Sequence, residues 1–598
     1  MTKKDQPAAL RRPRIPEGGC STIVVGRAAS ATGRILVGHN EDNDGRIVTN
    51  RIWVPAAEHA PTERLAFETG AAVLAQAPHT LAQCWTQTLH PQGAPYSDAF
   101  INEAGVLVVS NNCNETWERG EPVVEGGVGY AVRRLIADRA RTARAGVEIA
   151  VDLQTRWGYR GEGRTYTIAD PHEAWQVFLL RGHRWAARRI QDDEVVFTAN
   201  AFALDRVDDV PPEDVMLSPD LVDYAVRTGR YLPENGLDHS DFSFRRAYQP
   251  PERRYALWNF DRARTAWEYL TGRRFNDPES IPYALRPALK VGTADVMHVL
   301  ASRSAYEERR GFGPGHRTMR DVSNVGTFDA AVYELHEEPL LTTGWRASGR
   351  PSQLPFTPFF PLAGPPAAES LLDVDAARRA HFAPPRGVFD WRADRPLWRG
   401  LAAETLADWT DFDLPAWWRP LIGDRVHEAA RIRRAASELA DAAGLERARA
   451  FLHDWNERVF AEADAVVFAA LPAMRPVRIE VLAGELSAGM GEVEVALHPA
   501  AGFDPAKIDS DTVTFGTATP TEDVEWNARR ARVCGMTVEE DGSVRLRFSA
   551  QDVLRLALPG VLTDFWIFGL VEGRPFGGFD VVRTVSELER SPESYCKI

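Results

Sequence analysis

The first 200 residues alternate short apolar runs with polar turns, and this pattern predicts a layered sheet structure. Apolar and β-branched residues fill 20–26 and 35–38, and the turn at 31–34 between them suits a hairpin. Further strands are predicted at 51–54, 96–101, 106–110, 166–169, 174–180, 185–189 and 195–200. Over 128–145 the apolar spacing changes to that of an amphipathic helix. Sheet, helix and sheet in succession indicate an α+β fold.

The rest of the chain divides into a helical part and a strand-rich part. Helices are predicted at 262–270, 293–303, 423–445 and 445–468, the last two separated at Gly444. Beyond residue 474 short strands alternate with Gly, Asp and Pro turns, which is typical of an all-β sandwich. The expected organisation is therefore a leader over 1–19, a main domain over 20–473 and a C-terminal β-sandwich domain over 474–598.

Composition narrows the class of protein. The 598 residues are 44% hydrophobic and carry a formal net charge of −14, which suits a globular protein and disfavours nucleic acid as a partner. Five cysteines in a chain of this length do not make a disulfide framework, and their spacing matches no zinc site. No apolar run reaches the length of a membrane span, and no apolar segment follows the basic N-terminal residues as a signal peptide requires. We predict a cytoplasmic protein that does not associate with a membrane.

The most informative chemistry lies at Cys20, at the head of the first predicted strand. Gly18 and Gly19 precede it and leave the peptide bond before Cys20 unhindered. If the chain is cut there, Cys20 gains a free α-amino group, whose pKa of about 7.7–8.0 suits a base for a thiol of pKa about 8.5. Nucleophile and base would then share one residue, as in hydrolases with an N-terminal threonine. Taken alone, such a cysteine is more often a small apolar core residue.

A series of motifs along the chain, beginning at Cys20, is similar to that of a known family. The chain reads CSTIVVG at 20–26 and GHNED at 38–42, and then NEAGV at 102–106, GGVGY at 126–130, ADPHEAW at 169–175, TAN at 198–200, GTFD at 326–329 and GWRA at 344–347. This succession resembles the dipeptidase A and secernin family of cysteine N-terminal-nucleophile (Ntn) hydrolases over about residues 20–470. The resemblance implies a four-layer αββα sandwich with the nucleophile at the head of a central strand.

The resemblance also implies roles for particular residues. Cys20 would be the nucleophile, and Asp42 would hold the α-amino group through a hydrogen bond. Asn200 matches the asparagine that the family has late in a strand near the nucleophile. Asn112 falls where related bile-salt hydrolases place an amide that stabilises the oxyanion, although Asn111 adjoins it. One such donor contributes roughly 10²–10³ in rate.

One position departs from the family pattern. The family has arginine before Asn-x-Asp, whereas this chain has His39. Arginine supplies a fixed positive charge, and histidine supplies one only when it is protonated. We predict that His39 and Asn40 contact the substrate. His39 either replaces the arginine with a pH-dependent charge or marks an altered site.

The sequence therefore predicts a cysteine-dependent amide hydrolase, by resemblance a dipeptidase, that works without a metal or an organic cofactor. A small peptide or amide is the expected partner, and a homo-oligomer is left open. Two alternatives remain at this point. One is a non-peptide linear amidase or acyltransferase of the same fold, and the other is a non-catalytic scaffold that keeps residues 1–19 and carries a decayed site.

Overall fold

The computed structural model describes most of the chain between Gly19 and Val585. The described residues are 19–42, 48–89, 96–113, 120–233, 239–254, 256–303, 320–324, 326–367, 414–469, 475–487, 489–517, 531–554, 557, 560 and 562–585. The predicted leader, except for its last residue, and the predicted domain boundary at 473/474 lie outside these ranges. Within them, no helix combines the length and the apolar character needed to cross a membrane.

The main part contains strands and helices at most of the predicted places, together with others, such as the strands at 83–89 and 327–334, that the sequence did not predict. The strands are β1 (Ser21–Val25), β2 (Leu36–Asp42), β3 (Val48–Val54), β4 (Ala57–Glu58), β5 (Arg64–Leu65), β6 (Leu74–Ala75), β7 (His79–Thr80), β8 (Gln83–Leu89), β9 (Tyr96–Asn102), β10 (Leu107–Asn112), β11 (Tyr159–Ala169), β12 (Ala174–Gly182), β13 (Trp185–Ile190), β14 (Val195–Thr198), β15 (Val215–Leu217), β16 (Ala284–Leu285), β17 (Thr327–Glu334), β18 (Thr343–Ala347) and β19 (Thr357–Phe359). The helices are α1 (Ala131–Arg139), α2 (Ala143–Trp157), α3 (Leu221–Arg227), α4 (Phe244–Tyr248), α5 (Pro251–Arg254), α6 (Leu257–Thr271), α7 (Thr293–Ala301), α8 (Leu414–Ile422), α9 (Arg425–Ala443) and α10 (Leu445–Ala469).

Helix ends depend on contacts that the apolar spacing does not show. The prediction of a single helix over 128–145 is wrong, because the chain forms α1 and α2 there. The Thr142 hydroxyl accepts a hydrogen bond from the Ala145 N–H at 3.1 Å, and the Asp170 carboxylate accepts one from the Ala143 N–H at 2.6 Å. Both contacts satisfy N–H groups in the first turn of α2, so a new helix starts there. The predicted break at Gly444 is confirmed, since this residue has φ +87° between α9 and α10.

Two antiparallel sheets stack face to face in the main part. Among the described strands their orders are β16-β14-β1-β2-β17-β18-β19 and β15-β13-β12-β11-β10-β9-β8-β3. One buried cluster, which includes Val24 and Val109, draws on the facing sides of both sheets. A second cluster, which includes Val108 and Val132, lies between the second sheet and the helices α1 and α2. Helices α6 and α7 pack against the first sheet. The prediction of an α+β chain is confirmed, with helices covering both sheets.

The pairing of β1 with β2 decides which side chains can meet. In this pairing Thr22 lies opposite His39, and Ser21 lies opposite Asn40. Because side chains alternate between the two faces of a strand, neighbouring residues point to opposite layers. The side facing the second sheet carries Cys20, Thr22, His39 and Glu41, and the side facing the helices carries Ser21, Asn40 and Asp42.

The described residues of the C-terminal part form mainly strands, with one short α-helix among them. Its elements are β20 (Arg475–Pro476), β21 (Ile479–Val481), β22 (Glu485–Ser487), β23 (Glu492–Leu497), β24 (Ile508–Thr517), β25 (Ala531–Val538), β26 (Val544–Ser549), α11 (Ala550–Leu554), β27 (Leu562–Val571) and β28 (Arg574–Val585). The predicted sandwich of two sheets is, over the described residues, one nine-stranded sheet, in which β25 pairs with both β24 and β26 and so joins the two halves. This sheet curls around one core, to which Val495 and Phe576 belong.

Candidate active site

Cys20 lies at the head of β1, in the middle of the first sheet, and is only 4% exposed. Its main-chain carbonyl accepts a hydrogen bond from Arg262 Nη1 at 3.1 Å, and the same nitrogen donates to Ser21 Oγ at 3.3 Å. A Cβ atom placed on Gly19 would come within 2.8 Å of Asn200 Oδ1 and 3.1 Å of Arg262 Nη1. Asn200 and Arg262 therefore border Gly19, and a residue with a Cβ atom at this position would have to displace the Asn200 side chain.

Arg262, which projects from α6, is the centre of a buried polar network. Its Nη2 donates to Asn200 Oδ1 at 2.7 Å and to Asn259 Oδ1 at 3.2 Å, and Asn259 Oδ1 also accepts from the main-chain N–H of Asn200. Its Nη1 lies 3.7 Å from Asp42 Oδ2, and neither side chain has any exposed surface. Burial lowers the pKa of Arg262, and the nearby Asp42 and Cys20 oppose that shift. The guanidinium group thus links three of the residues that the sequence resemblance singled out.

Asp42 ends β2 and is held by hydrogen bonds on both of its oxygens. Thr327 donates to Oδ1 at 2.6 Å, and Asn324 donates through Nδ2 to Oδ2 at 2.5 Å. Burial raises the pKa of Asp42 to about 6, although Arg262, the two hydrogen bonds and His39 all act to lower it. The carboxyl group is therefore an acceptor in a fixed position, enclosed away from solvent.

Asn200 connects the first sheet to the second. Its Nδ2 donates to the main-chain carbonyl of Asn112, at the end of β10, at 2.9 Å. Asn112 is half-buried and meets this network through its main chain. The adjacent Asn111 is buried between the sheets, and its Oδ1 accepts a hydrogen bond from Thr22 at 2.6 Å. The structure thus brings Asn200 and the main chain of Asn112 to Cys20, and it places the side chain of Asn111 on the Thr22 side.

Asn40 faces the helices rather than the second sheet. Its Nδ2 donates to the main-chain carbonyls of Leu300 and Val322, each at 2.9 Å, and the residue is completely buried. Both amide protons are therefore used to hold β2 against the end of α7 and the segment at 320–324. This arrangement gives Asn40 a structural role, and its predicted contact with a substrate stays a prediction.

His39 lies beside Cys20, on the side facing the second sheet. Its Nδ1 is 2.8 Å from Thr22 Oγ1, and its Nε2 is 3.2 Å from Glu41 Oε2. One donor atom from each of Cys20, His39 and Glu41 lies within 4.8 Å of the other two. A thiol beside an imidazole and a carboxylate is a set of groups that can activate a nucleophile or coordinate a soft metal ion.

Sequence reasoning did not find Arg262, Asn324 or Thr327. Arginine is so common in this chain that a single arginine gave no signal. The signal that was available is the spacing of Asn259 and Arg262, which puts two polar side chains one turn apart on the buried side of α6. Thr327 stands inside the motif at 326–329, so the motif marked the segment without revealing its contact with Asp42.

Comparisons with known proteins agree with the motifs. The sequence profile of peptidase family C69 matches residues 19–327, just over half of the chain. A probable dipeptidase of Latilactobacillus sakei is 25% identical over 365 residues, which cover 58% of this chain and 75% of that protein. A probable dipeptidase A of Streptococcus pyogenes serotype M18 (strain MGAS8232) is 28% identical over 369 residues, covering 58% of this chain and 76% of that protein. Among solved structures, penicillin V acylase from Agrobacterium tumefaciens has a TM-score of 0.27 and 12% identity, covering 57% of this chain and 84% of that chain. The family match confirms the predicted resemblance: this chain belongs to peptidase family C69 and is a peptide hydrolase.

Proposed function

We propose that this chain is a cysteine-dependent dipeptidase of the Ntn-hydrolase type, with Cys20 as the nucleophile. The observation that carries the proposal is the position of Cys20 at the head of a buried central strand, where Arg262 binds its main-chain carbonyl. The order of helices, two sheets and helices fits the αββα sandwich that the sequence resemblance implies. Relatives named as probable dipeptidases support a dipeptide as the substrate class.

The proposed reaction starts when residues 1–19 have been removed and Cys20 carries a free α-amino group. The Cys20 thiol passes its proton to that amine as its sulfur attacks the peptide carbonyl, which becomes an oxyanion. The oxyanion collapses, the C–N bond breaks, and the ammonium returns the proton to the leaving amine. A water molecule then attacks the acyl-thioester, its proton passes to the same amine, and the acid and the free thiol are released.

The buried network supplies the positioning in this proposal. In the uncut chain Gly19 occupies the acyl side of the bond to Cys20, and a Cβ atom on it would lie 2.8 Å from Asn200 Oδ1 and 3.1 Å from Arg262 Nη1. A substrate acyl group attached to the cysteine sulfur would approach the same region. Asp42, fixed by two hydrogen bonds, is the proposed acceptor for the α-ammonium group.

The oxyanion that forms in this reaction needs a hydrogen-bond donor. Asn112 is the proposed amide donor, and the hydrogen bond from Asn200 to its carbonyl supports the position of this strand end. Replacing Asn112 by alanine should lower kcat by about 10²–10³ if it is that donor. The matched variant Asn111→Ala removes the neighbouring amide, which is already bound to Thr22. Cytoplasmic localisation, the domain boundaries and a homo-oligomer stay predictions.

The test combines the mass of the purified protein with its activity. Intact mass and N-terminal sequencing should show a chain that begins at Cys20, and iodoacetamide should label that residue. A panel of dipeptides, together with a linear non-peptide amide, should show peptide turnover that Cys20→Ala lowers at least about 10³-fold. Cys534→Ser is the matched control, because Cys534 is exposed in the C-terminal sheet. Full turnover in Cys20→Ala, or an active chain with an uncut N-terminus, would refute the proposal.

A further inference from the structure

The site contains three side chains of types that bind metal ions, and the proposed hydrolysis uses only one of them, Cys20. Cys20, His39 and Glu41 are 4%, 3% and 7% exposed and lie on one side of the β1–β2 pair. One donor atom from each lies within 4.8 Å of the other two. Tetrahedral zinc sites, with Zn–S near 2.3 Å and Zn–N about 2.0–2.1 Å, place their donors about 3.3–3.6 Å apart. Small side-chain movements therefore suffice to bring all three donors onto one ion.

The hydrogen bonds around His39 fix which of its nitrogens carries a proton. The Thr22 hydroxyl has one proton, which it donates to Asn111 Oδ1 at 2.6 Å. Asn111 cannot be turned around, because its Nδ2 donates to the main-chain carbonyl of Thr198. Thr22 Oγ1 must therefore accept a hydrogen bond from His39 Nδ1, at 2.8 Å. A metal-binding histidine commonly donates its other ring N–H in this way, which leaves the second nitrogen for the ion.

The other ring nitrogen of His39, Nε2, faces the carboxylate of Glu41. His39 Nε2, which carries a lone pair in this tautomer, lies 3.2 Å from Glu41 Oε2. Two acceptor atoms at this distance repel each other unless a positive centre lies between them. That centre is either a proton or a metal ion. A thiolate and a carboxylate both supply negative charge to a divalent cation, and a neutral imidazole can complete the ligand set.

We propose that Cys20, His39 and Glu41 bind a thiophilic divalent cation of the Zn²⁺ class, and that the bound ion switches the peptidase off. A thiolate and an imidazole select such an ion over Mg²⁺ or Ca²⁺, which prefer all-oxygen sites. On binding, the Cys20 S–H bond breaks, its proton passes to solvent, and the sulfur donates its electron pair to the ion. The sulfur is then unable to attack a carbonyl. The inhibition rests on the proposed function, whereas the binding does not.

The experiment uses Co²⁺ as a spectroscopic probe on the full chain after treatment with a chelator. The background variant Cys534→Ser removes a thiol that is exposed and lies near Glu492, a pair that could bind metal by itself. We expect one Co²⁺ per chain, with a thiolate-to-metal band in the near ultraviolet that one equivalent of Zn²⁺ abolishes. Cys20→Ala should lose the band.

Further variants test the geometry of the proposed site. Glu41→Gln and His39→Arg should weaken Co²⁺ binding at least tenfold, and circular dichroism checks that each variant is folded. The isosteric Thr22→Val, which no longer fixes the histidine proton, should weaken binding about 10–100-fold without removing a ligand. An unchanged band in Cys20→Ala, or unchanged affinity in both Glu41→Gln and His39→Arg, would overturn the proposed site.

Hydrolysis assays separate this proposal from the proposed function. Zn²⁺ should inhibit dipeptide hydrolysis, a chelator should restore it, and Glu41→Gln should need at least tenfold more Zn²⁺ for the same inhibition. If the metal-free chain hydrolyses no dipeptide but shows the Co²⁺ band, the proposed function fails and the metal site stands. If it hydrolyses dipeptides but shows neither the band nor inhibition by Zn²⁺, the metal site is refuted.

Discussion

Arg262 and Asp42 form an ion pair with no exposed surface, with Nη1 3.7 Å from Oδ2. The pair joins α6 to the end of β2, and the same guanidinium group donates to the carbonyl of Cys20. Attraction between two buried charges offsets their loss of hydration only when both are also hydrogen-bonded. Here Asp42 accepts from Asn324 and Thr327, so the charges are supported and the nucleophile is bound to a rigid group.

The first prediction concerns the geometry of Arg262. Arg262→Lys keeps the positive charge but loses the planar fork that donates at once to Cys20, Asn200 and Asn259. We expect kcat/KM for a dipeptide to fall about 10²-fold, because the main chain of the nucleophile is no longer fixed. Steady-state kinetics on the mature enzyme measure this change.

Arg264→Lys is the matched control for that substitution. It lies on the same helix and forms a salt bridge with Asp261 at 3.1 Å, which lysine can keep. Its kcat/KM should stay within a factor of about three of the unaltered enzyme, because the described ion pairs of Arg264, with Asp261 and Glu268, do not hold the main chain of the nucleophile. Equal losses in Arg262→Lys and Arg264→Lys would show that Arg262 has no special role at the nucleophile.

Distance along the chain decides which site residues the sequence could identify. Cys20 and Asp42 stand in one predicted hairpin, and Asn200 ends a motif, so local pattern and family resemblance were enough to single them out. Arg262 is separated from Cys20 by 242 residues and reaches it only because α6 packs against the first sheet. The spacing of Asn259 and Arg262 marks a pair of polar residues on α6, but it does not show what the pair contacts after packing. The side of β2 on which His39 lies likewise follows from the strand register, which the sequence does not give.

The fold shows the same difference between features that a local pattern predicts and features that depend on distant contacts. Alternating apolar residues located β1, β9, β10, β12, β13 and β14 within a few residues, because burial of one or both faces leaves a direct pattern. They did not predict β8, β17, β18 or the first half of β11. The pairing partner of a strand has no such pattern. β25 pairs with strands on both sides, and this pairing turns the expected sandwich into a single curled sheet.

The second prediction concerns Asn102, at the turn between β9 and β10. Its Nδ2 donates to the carbonyls of Ala137 and Ala140, and its Oδ1 accepts from the N–H groups of Ala104 and Val106. The side chain is completely buried and ties the hairpin to the end of α1. Asn102→Ala should lower the free energy of unfolding by roughly 2–4 kcal/mol, because each buried group left without a partner costs about 1–3 kcal/mol.

Chemical denaturation measures that change, and Asn276→Ala is its control. Asn276 is exposed, so its replacement should change the free energy of unfolding by less than about 0.5 kcal/mol. A cost for Asn102→Ala as small as that of the control would mean that the hairpin and α1 hold together without this side chain.

The third prediction concerns pH and His336. Burial and the Arg34 and Arg433 guanidinium groups lower the pKa of His336 to about 4, although the backbone contact with Glu338 and the charge of Glu337 oppose the shift. The unfolded chain, with a histidine pKa of about 6.5, therefore binds this proton more readily than the folded chain. The stability that neutral His336 contributes is complete above about pH 6.5 and is lost as the pH falls toward 4.

Replacing His336 by asparagine tests that dependence. Asparagine can still accept the Glu338 N–H bond that His336 Nδ1 accepts at 3.0 Å, but it does not titrate. The free energy of unfolding should fall less between pH 7 and pH 5 in His336→Asn than in the unaltered protein. The exposed His172→Asn should keep the original slope, and identical slopes in all three proteins would rule out the effect.

The last prediction concerns Gly26, where the chain leaves β1. A Cβ atom at this position would meet the main-chain carbonyl oxygens of Gln191 and Asp192, the latter at 2.5 Å. Main-chain atoms of the adjoining turn cannot rotate away as a side chain can, so Gly26→Ala should destabilise the fold by about 3 kcal/mol or more and lower the melting temperature. Gly120→Ala is the control, because nothing lies within 4 Å of its Cβ position and its φ is not positive. That variant should be neutral or slightly stabilising, and an equally neutral Gly26→Ala would contradict the close approach of the turn to β1.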